Sequence, residues 1–398
     1  MMNTFDVYTE LLDLPNVVIT DFHVTKKTIE VSCALTDKIT LCPYCGVECT
    51  VVNDRTTRRL RDLNIAQREV FLLVTLRQFR CLACGSCPTE KVDFADPNKS
   101  YTHRQAKYVF TLCRKQSYSE IGAIVNMHAK TVERLVLHQC QMNLNLSNSY
   151  ARVKRLGIDE QSHRKGRKDY ICLLTDLDTG AIVDLLPNRK KETLVAHFQK
   201  LGEDFCSQIT DVSCDIWTPY ITAIQTCFPK ATLILDRFHV VRLLNEALDA
   251  FRKQLRKDHK DQAAYRKLKW ILFKQYHRLT DSEIDELNAG FILSPELKDC
   301  YFMREKFHHI LDNQDNVNTA VDMLDKWVEC IREKGISVFD TFINTLQKHK
   351  EYIANYVKDN LSNAVTEGLN NLVRSIRRSS FGMPSFHNLR LRVMAISA

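Results

Sequence analysis

Hydrophobic spacing changes character several times along the chain. The segment "REVFLLVTLRQFRC" (68–81) is strand-like. Residues 101–140, "YTHRQAKYVFTLCRKQSYSEIGAIVNMHAKTVERLVLHQC", nearly lack glycine and proline and place apolar residues at helical spacing. Val109, Leu112 and Cys113 mark one helix, and Ile121 and Ile124 mark a short second one with Ser119 as its N-cap. "NMH" (126–128) breaks that helix. A third turns Val132, Leu135 and Val136 inward and Lys130, Thr131 and Arg134 outward.

From 153 the period shortens. "VKRLGIDEQS" predicts a short strand ending at Asp159, and "YICLLTDLDTG" with "AIVDLLP" predicts a hairpin around Asp178-Thr179-Gly180. Helical spacing over 191–201 is followed by a strand at 209–215. Next come a helix opened by proline, "TPYITAIQTCF", and a strand at 231–236. Three strands, helix, strand, helix, strand describe an α/β sheet with Asp159, Asp215 and Asp236 at or near strand C-termini. A long helical stretch follows, an all-α insertion at about 243–355. Last comes "LSNAVTEGLNNLVRSIRRSSFG" (361–382). On a helix, Asn363, Glu367, Asn370, Asn371, Arg374 and Arg378 share one face of that segment. Leu369, Leu372, Val373 and Ile376 lie toward another.

With 44% apolar and 26% charged residues over 398 positions, the chain is a globular protein with ample core. No run approaches the ~18 apolar residues of a membrane span, and the N-terminus has no secretion pattern, so a cytoplasmic protein is expected. The net charge of +8 is concentrated. "RTTRRLR" (55–61) holds Arg55, Arg58, Arg59 and Arg61, and Arg242 to Lys274 carries ten Lys/Arg against four Asp/Glu. After Glu367 come five arginines and no acid. Each patch alone reads as a solvated face; three together fit a polyanion such as nucleic acid.

Of fifteen cysteines, nine are scattered, often in apolar runs, and read as small core residues. The other six cluster in "LCPYCGVEC" and "RCLACGSC". Cys42/Cys45 and Cys81/Cys84 form two C-x-x-C knuckles, each followed by glycine, which suits a structural Cys₄ zinc site. Cys49 and Cys87 are spare thiols able to replace a ligand. "RTTRRLR" is expected on an exposed loop of this module, facing phosphates. The helices of 101–140 match either a DNA-reading helix-turn-helix, with Lys130, Thr131 and Arg134 outward, or an ordinary three-helix bundle. Carboxylates gathered from strand ends and a late helix suit a pair of Mg²⁺ (or Mn²⁺) ions acting in phosphoryl transfer.

"GIDE" (157–160), "DVSCDIW" (211–217), "LILDRFHVVR" (233–242) and "SNAVTEGLNNLVRSIRRSSFG" follow two CxxCG knuckles and a helix-turn-helix. In that order they resemble the ISL-three family of bacterial insertion-sequence transposases over nearly the whole chain. The resemblance implies a multidomain α/β protein with four parts: a lead-in at 1–37, a zinc-binding domain at 38–95, a helix-turn-helix at 100–145, and an RNase H-like DDE domain at 150–398 interrupted by the helical insertion. It also implies action on double-stranded DNA, at terminal inverted repeats and target, by at least a homodimer and without a membrane. Asp159 and Glu367 are the expected first and last catalytic metal ligands. The second is Asp215 by strand position or Asp236 by the "DRFH" signature; in the former case Asp236 and His239 stand beside the metals and position DNA. Arg374 and Arg378 are further DNA candidates. A catalytically silent DNA-binding regulator and a simple metal-dependent nuclease remain as alternatives.

Overall fold

The computed structural model describes residues 4–36, 40–144, 150–164, 169–258, 262–361, 364–380 and 385–397. The chain divides into two compact units, Met1–Leu146 with Arg374–Ile396, and Ser147–Val373 with the last two residues. Among the described residues no helix is long and apolar enough to cross a membrane.

The first unit begins with α1 (Thr4–Leu12), β1 (Val17–Val24) and β2 (Thr28–Leu35). The small ladder β3 (Thr40–Leu41) and β4 (Glu48–Cys49) follows, then the long strands β5 (Val51–Ile65) and β6 (Arg68–Arg80). Strand order is β1-β2-β6-β5, with β2 and β6 parallel and the outer pairs antiparallel. The segment 1–37 is therefore more than a lead-in: it supplies α1 and two strands. Its Val17, Ile19, Val31 and Cys33 share a core with Leu60, Val70, Leu72 and Val74. Alternation along β6, buried at Val70, Leu72, Val74 and Leu76, is the period-two pattern of a half-buried strand.

Three helices follow, α2 (His103–Leu112), α3 (Tyr118–Val125) and α4 (Ala129–Leu144). Val109, Cys113, Ile121, Val125, Val132, Leu135 and Val136 form their core. The cap of α3 is Ser117, not Ser119: its hydroxyl accepts from the Glu120 N–H while Glu120 reaches back, a complete capping box. Ile124 is exposed and Val125 takes the inward place. Asn126 ends α3 in the left-handed region (φ 53°), which its short polar side chain tolerates.

In the second unit, β7 (Arg155–Arg164), β8 (Asp169–Asp176) and β9 (Ala181–Leu186) form an antiparallel meander. After α5 (Lys191–Leu201) and α6 (Glu203–Gln208) comes β10 (Asp211–Cys214), and after α7 (Thr218–Cys227) comes β11 (Thr232–Leu235). Strand order is β11-β10-β7-β8-β9, with β7, β10 and β11 parallel. Strand β7 does not end at Asp159 but runs to Arg164, because β8 continues to pair with it there.

The helical stretch starts at Arg237, directly after β11, rather than near 243. It comprises α8 (Arg237–Asp258), α9 (Gln262–Ile271), α10 (Asp281–Leu293), α11 (Pro295–Asp312), α12 (Val317–Glu333) and α13 (Asp340–Ala354). Leu244, Leu248, Phe307, Trp327 and Leu346 join the sheet residues in one continuous core. Asn355 Nδ2 donates to Leu233 O at 2.8 Å, satisfying a backbone carbonyl on edge strand β11. The division between units falls within α14 (Ala364–Ser379). The last helix, α15 (Phe386–Ser397), contributes Leu391 and Ala395 to the core of α2–α4.

Candidate active site and zinc centre

The two C-x-x-C knuckles are built alike. The Gly46 N–H donates to Cys42 O and the Gly85 N–H to Cys81 O, both at 2.9 Å. Both glycines have φ of 73°, where a side chain would be strained. Each turn thus presents its two thiols together. Cys42 Sγ lies 3.6 Å from Cys84 Sγ, and Cys45 Sγ lies 3.5 Å from Cys81 Sγ; all four fall within 4.8 Å of one another. Tetrahedral zinc with bonds of about 2.3 Å spaces its sulfurs about 3.8 Å apart, so the four thiols fit a structural zinc ion. A hydrogen bond from Ser86 holds the Cys42 thiol down to about 6, and the Cys84 backbone holds Cys81 below its ordinary value, predisposing both toward thiolate. Cys49, buried, and Cys87, exposed, are not part of the four-thiol cluster.

"RTTRRLR" is not a loop. It lies within β5, and its arginines divide. Arg55 is exposed. Arg58 spends its guanidinium on the backbone oxygens of Asp96 and Lys99. Arg59 pairs with Glu30 at 3.2 Å and covers the Phe71 ring. Arg61 is 6% exposed, bonded to Glu69, Asn64 and Val125 O, and has no access to a phosphate. On α4, Lys130 and Arg134 are exposed and Thr131 is half-buried at the first turn. Arg374 and Arg378 are exposed on α14.

The register of the second sheet places the acids. Ile158, Cys214 and Leu235 are hydrogen-bonded neighbours at the last paired level of the three parallel strands, all fully buried. The next residue of each strand is an aspartate: Asp159, Asp215 and Asp236. This C-terminal edge of a parallel sheet is where side chains converge on a ligand in α/β folds. Ligand atoms of Asp159, Asp215 and His239 lie within 4.8 Å of one another. His239 sits in the first turn of α8. Its Nε2 is 3.0 Å from Asp215 Oδ1 and 3.9 Å from Asp236 Oδ2, so the imidazole stands between the two carboxylates. Burial pulls the His239 value down, but hydrogen bonding to Asp215 and the charges of both aspartates outweigh it and raise the value overall.

Burial, followed by the charge of Asp215, pushes Asp159 up to about 6, while hydrogen bonds from the Glu160 N–H and Asn370 restrain it. Asn370 is the residue whose role the sequence did not reveal: its Nδ2 donates to Asp159 Oδ2 at 2.6 Å. Gln161 Nε2 donates to Asn370 O at 2.7 Å and Thr366 Oγ1 meets Thr175 Oγ1 at 3.2 Å, which fixes the first half of α14 across β7 and β8. Three residues before Asn370 the same helix carries Glu367; its side chain, like Asn363, lies outside the described residues. Glu160 faces away from Asp159. It pairs with Arg189, which stacks over Tyr170 at 3.9 Å and Trp217 at 4.6 Å.

Three family models match the chain in order. Residues 39–84 match the zinc-finger of transposase IS204/IS1001/IS1096/IS1165, 90–140 match the helix-turn-helix domain of transposase family ISL3, and 156–393 match the ISL3 transposase domain. The transposase for insertion sequence element IS1001 of Bordetella parapertussis is 25% identical over 374 residues, 93% of this chain and 91% of that protein. The transposase for IS1557 of Mycobacterium tuberculosis is 25% identical over 354 residues, 82% of this chain and 79% of its own length. The zinc knuckles, the three-helix module and the aspartate-edged sheet thus occur in the order these families share, and the chain belongs to the ISL3 family of insertion-sequence transposases.

Proposed function

We propose that the protein binds the terminal inverted repeats of its insertion sequence and cleaves and transfers DNA strands by DDE-type chemistry, with Asp159, Asp215 and Glu367 as the metal-holding carboxylates. The observation that carries this reading is the meeting of Asp159 with Asp215 at the strand edge, on the face where α14 delivers Asn370 to Asp159. The strand order, three antiparallel strands with two further strands parallel to the first, supports an RNase H-like core.

The donor set fits a hard divalent cation. Asp159 and Asp215 bring carboxylate oxygens together against each other's charge, with His239 Nε2 3.0 Å from Asp215 Oδ1. Magnesium or manganese, when bound, offsets negative charge developing on the phosphoryl and departing oxygens. The chain's own residues set the geometry. Asn370 fixes which oxygen of Asp159 is turned inward, and His239 orients Asp215, with Asp236 behind it, as partners of metal ligands commonly do. Asp215 rather than Asp236 is the second ligand, since it is the one gathered with Asp159. DNA is held through the first two turns of α4, where exposed Lys130 and Arg134 and half-buried Thr131 suit the major groove, with Arg55, Arg374 and Arg378 toward phosphates. Pairing two ends calls for at least two copies.

The test is joining of a labelled terminal repeat to plasmid by purified protein in Mg²⁺, beside Glu367→Gln and Asp215→Asn. Joining that both substitutions abolish is expected. Binding of the repeat without cleavage or joining by the wild type would replace this reading with that of a DNA-binding regulator.

A further inference from the structure

Within the helical insertion, α8, α11 and the segment between α9 and α10 enclose a cavity of about 480 Å³. Arg237, Lys274, Arg278, Arg304 and His308 line it; Asp312 pairs with Arg237 at 2.6 Å, Glu305 with Arg304 at 2.7 Å and Glu283 with Lys274 at 2.5 Å, which leaves Arg278 as the exposed cation of the lining with no ion pair among the described residues. Arg304, 1% exposed, bonds the backbone oxygens of Phe273 and Lys274 and so pins that segment against α11.

Two donors in this cavity are unspent. His308 is 6% exposed, and its Nδ1 lies 3.0 Å from Arg237 Nη2. A guanidinium only donates, so Nδ1 accepts and Nε2 carries the ring proton. That Nε2–H has no partner among the described residues, and neither does Arg237 Nε. Burial, then the charges of Arg304, Arg237 and Arg278, push the His308 value down to about 3, keeping the ring neutral and the tautomer fixed. A buried donor left unpaired costs on the order of 1–3 kcal/mol, and two of them on residues that line one cavity suit an acceptor-only anion. Gln275, Arg278 and Asp312 also line a larger adjoining chamber of about 810 Å³ walled by Phe302, Met303 and Trp327, which leaves room for the organic part of the ligand.

We infer that this cavity is a phosphate-binding site that holds a backbone phosphate of a DNA strand through Arg237, His308 and Arg278. The inference rests on the proposed DNA-transposase reading for its ligand. Arg237 and His239 share the first turn of α8, so the cavity lies at the same helix end as the aspartate edge, on another side of it.

The experiment uses the full-length protein without divalent metal, so binding is read independently of catalysis. A fluorescein-labelled duplex of the sequence flanking the gene is prepared with single phosphates replaced, one at a time, by neutral methylphosphonates. For the wild type, one position outside the footprint of α4 is expected to weaken binding about tenfold, the size of a charge-assisted hydrogen bond. In Arg278→Gln, an exposed position whose change spares the fold, the same replacement is expected to cost less than about twofold. Equal sensitivity in wild type and variant at every position would overturn the inference. So would inorganic phosphate raising the wild-type melting temperature, but not that of Arg278→Gln, with no strand position coupled; the cavity would then serve a free anion. Coupling at one phosphate in a protein that joins no DNA would leave the inference standing and remove the catalytic reading alone.

Discussion

The four cysteines and the strand-edge aspartates both gather groups able to hold a metal ion, and they are built in opposite ways. Each cysteine pair is made by one tight turn, with a glycine at φ 73° closing it, so the ligand geometry is local and repeated. The aspartates come from three strands and depend on the register Ile158–Cys214–Leu235 beneath them, while α14 brings Asn370 from more than two hundred residues away. The thiols lie close to one another, with Cys42 and Cys81 held below and Cys45 above the ordinary thiol value; the carboxylates are held together against their mutual repulsion, with one pushed up to about 6.

The largest effect that could break this contrast is at the knuckles. Structural zinc contributes roughly 10–16 kcal/mol of apparent binding energy in small zinc-dependent modules. Cys81→Ser is therefore expected to lose bound zinc and open the knuckle region to limited proteolysis, with zinc content read by elemental analysis. A Cys81→Ser protein with full zinc would show that another ligand set holds the metal.

The second test concerns Asp159 in the metal-free protein. Its folded value, about 6, lies above the ordinary 3.8, so the group favours the folded state below about pH 4 and that contribution is lost as pH rises through about 6. The loss is at most about 3 kcal/mol. Thermal unfolding without divalent metal should show wild type losing stability between pH 4 and 7, beyond the loss in Asp159→Asn; identical profiles would mean the repulsion is not felt. The smallest effect is purely local. Ser117→Ala should cost about 1 kcal/mol through the lost cap, and Ser119→Ala within about 0.5 kcal/mol, both read as melting shifts.

The same division between local and assembled features explains what the sequence revealed. Both knuckles, the helix at 191–201, the β8–β9 hairpin and the three-helix module were legible because spacing, proline and turn residues encode them within a dozen positions. Ser119 fits a cap by residue type, but only Ser117 has a glutamate three positions on to complete the capping box. "RTTRRLR" reads as a charged loop, yet β6 offers it a ladder, and its arginines find Glu30, Glu69 and backbone oxygens distant in sequence. The extension of β7 past Asp159 likewise depends on its partner, β8. Asn370 was visible as an amide on a helix face shared with Glu367; that it holds Asp159 follows only from tertiary packing.

The central claim is that Asp215, and not Asp236, joins Asp159 in holding the catalytic metal. Single-turnover cleavage of labelled terminal DNA by Asp215→Asn and Asp236→Asn tests it directly. Loss of a ligand is expected to slow cleavage about a thousandfold or more in Asp215→Asn, and loss of a residue behind the ligand only about 10–100-fold in Asp236→Asn. The reverse order, with Asp236→Asn inert and Asp215→Asn merely slowed, would contradict the account.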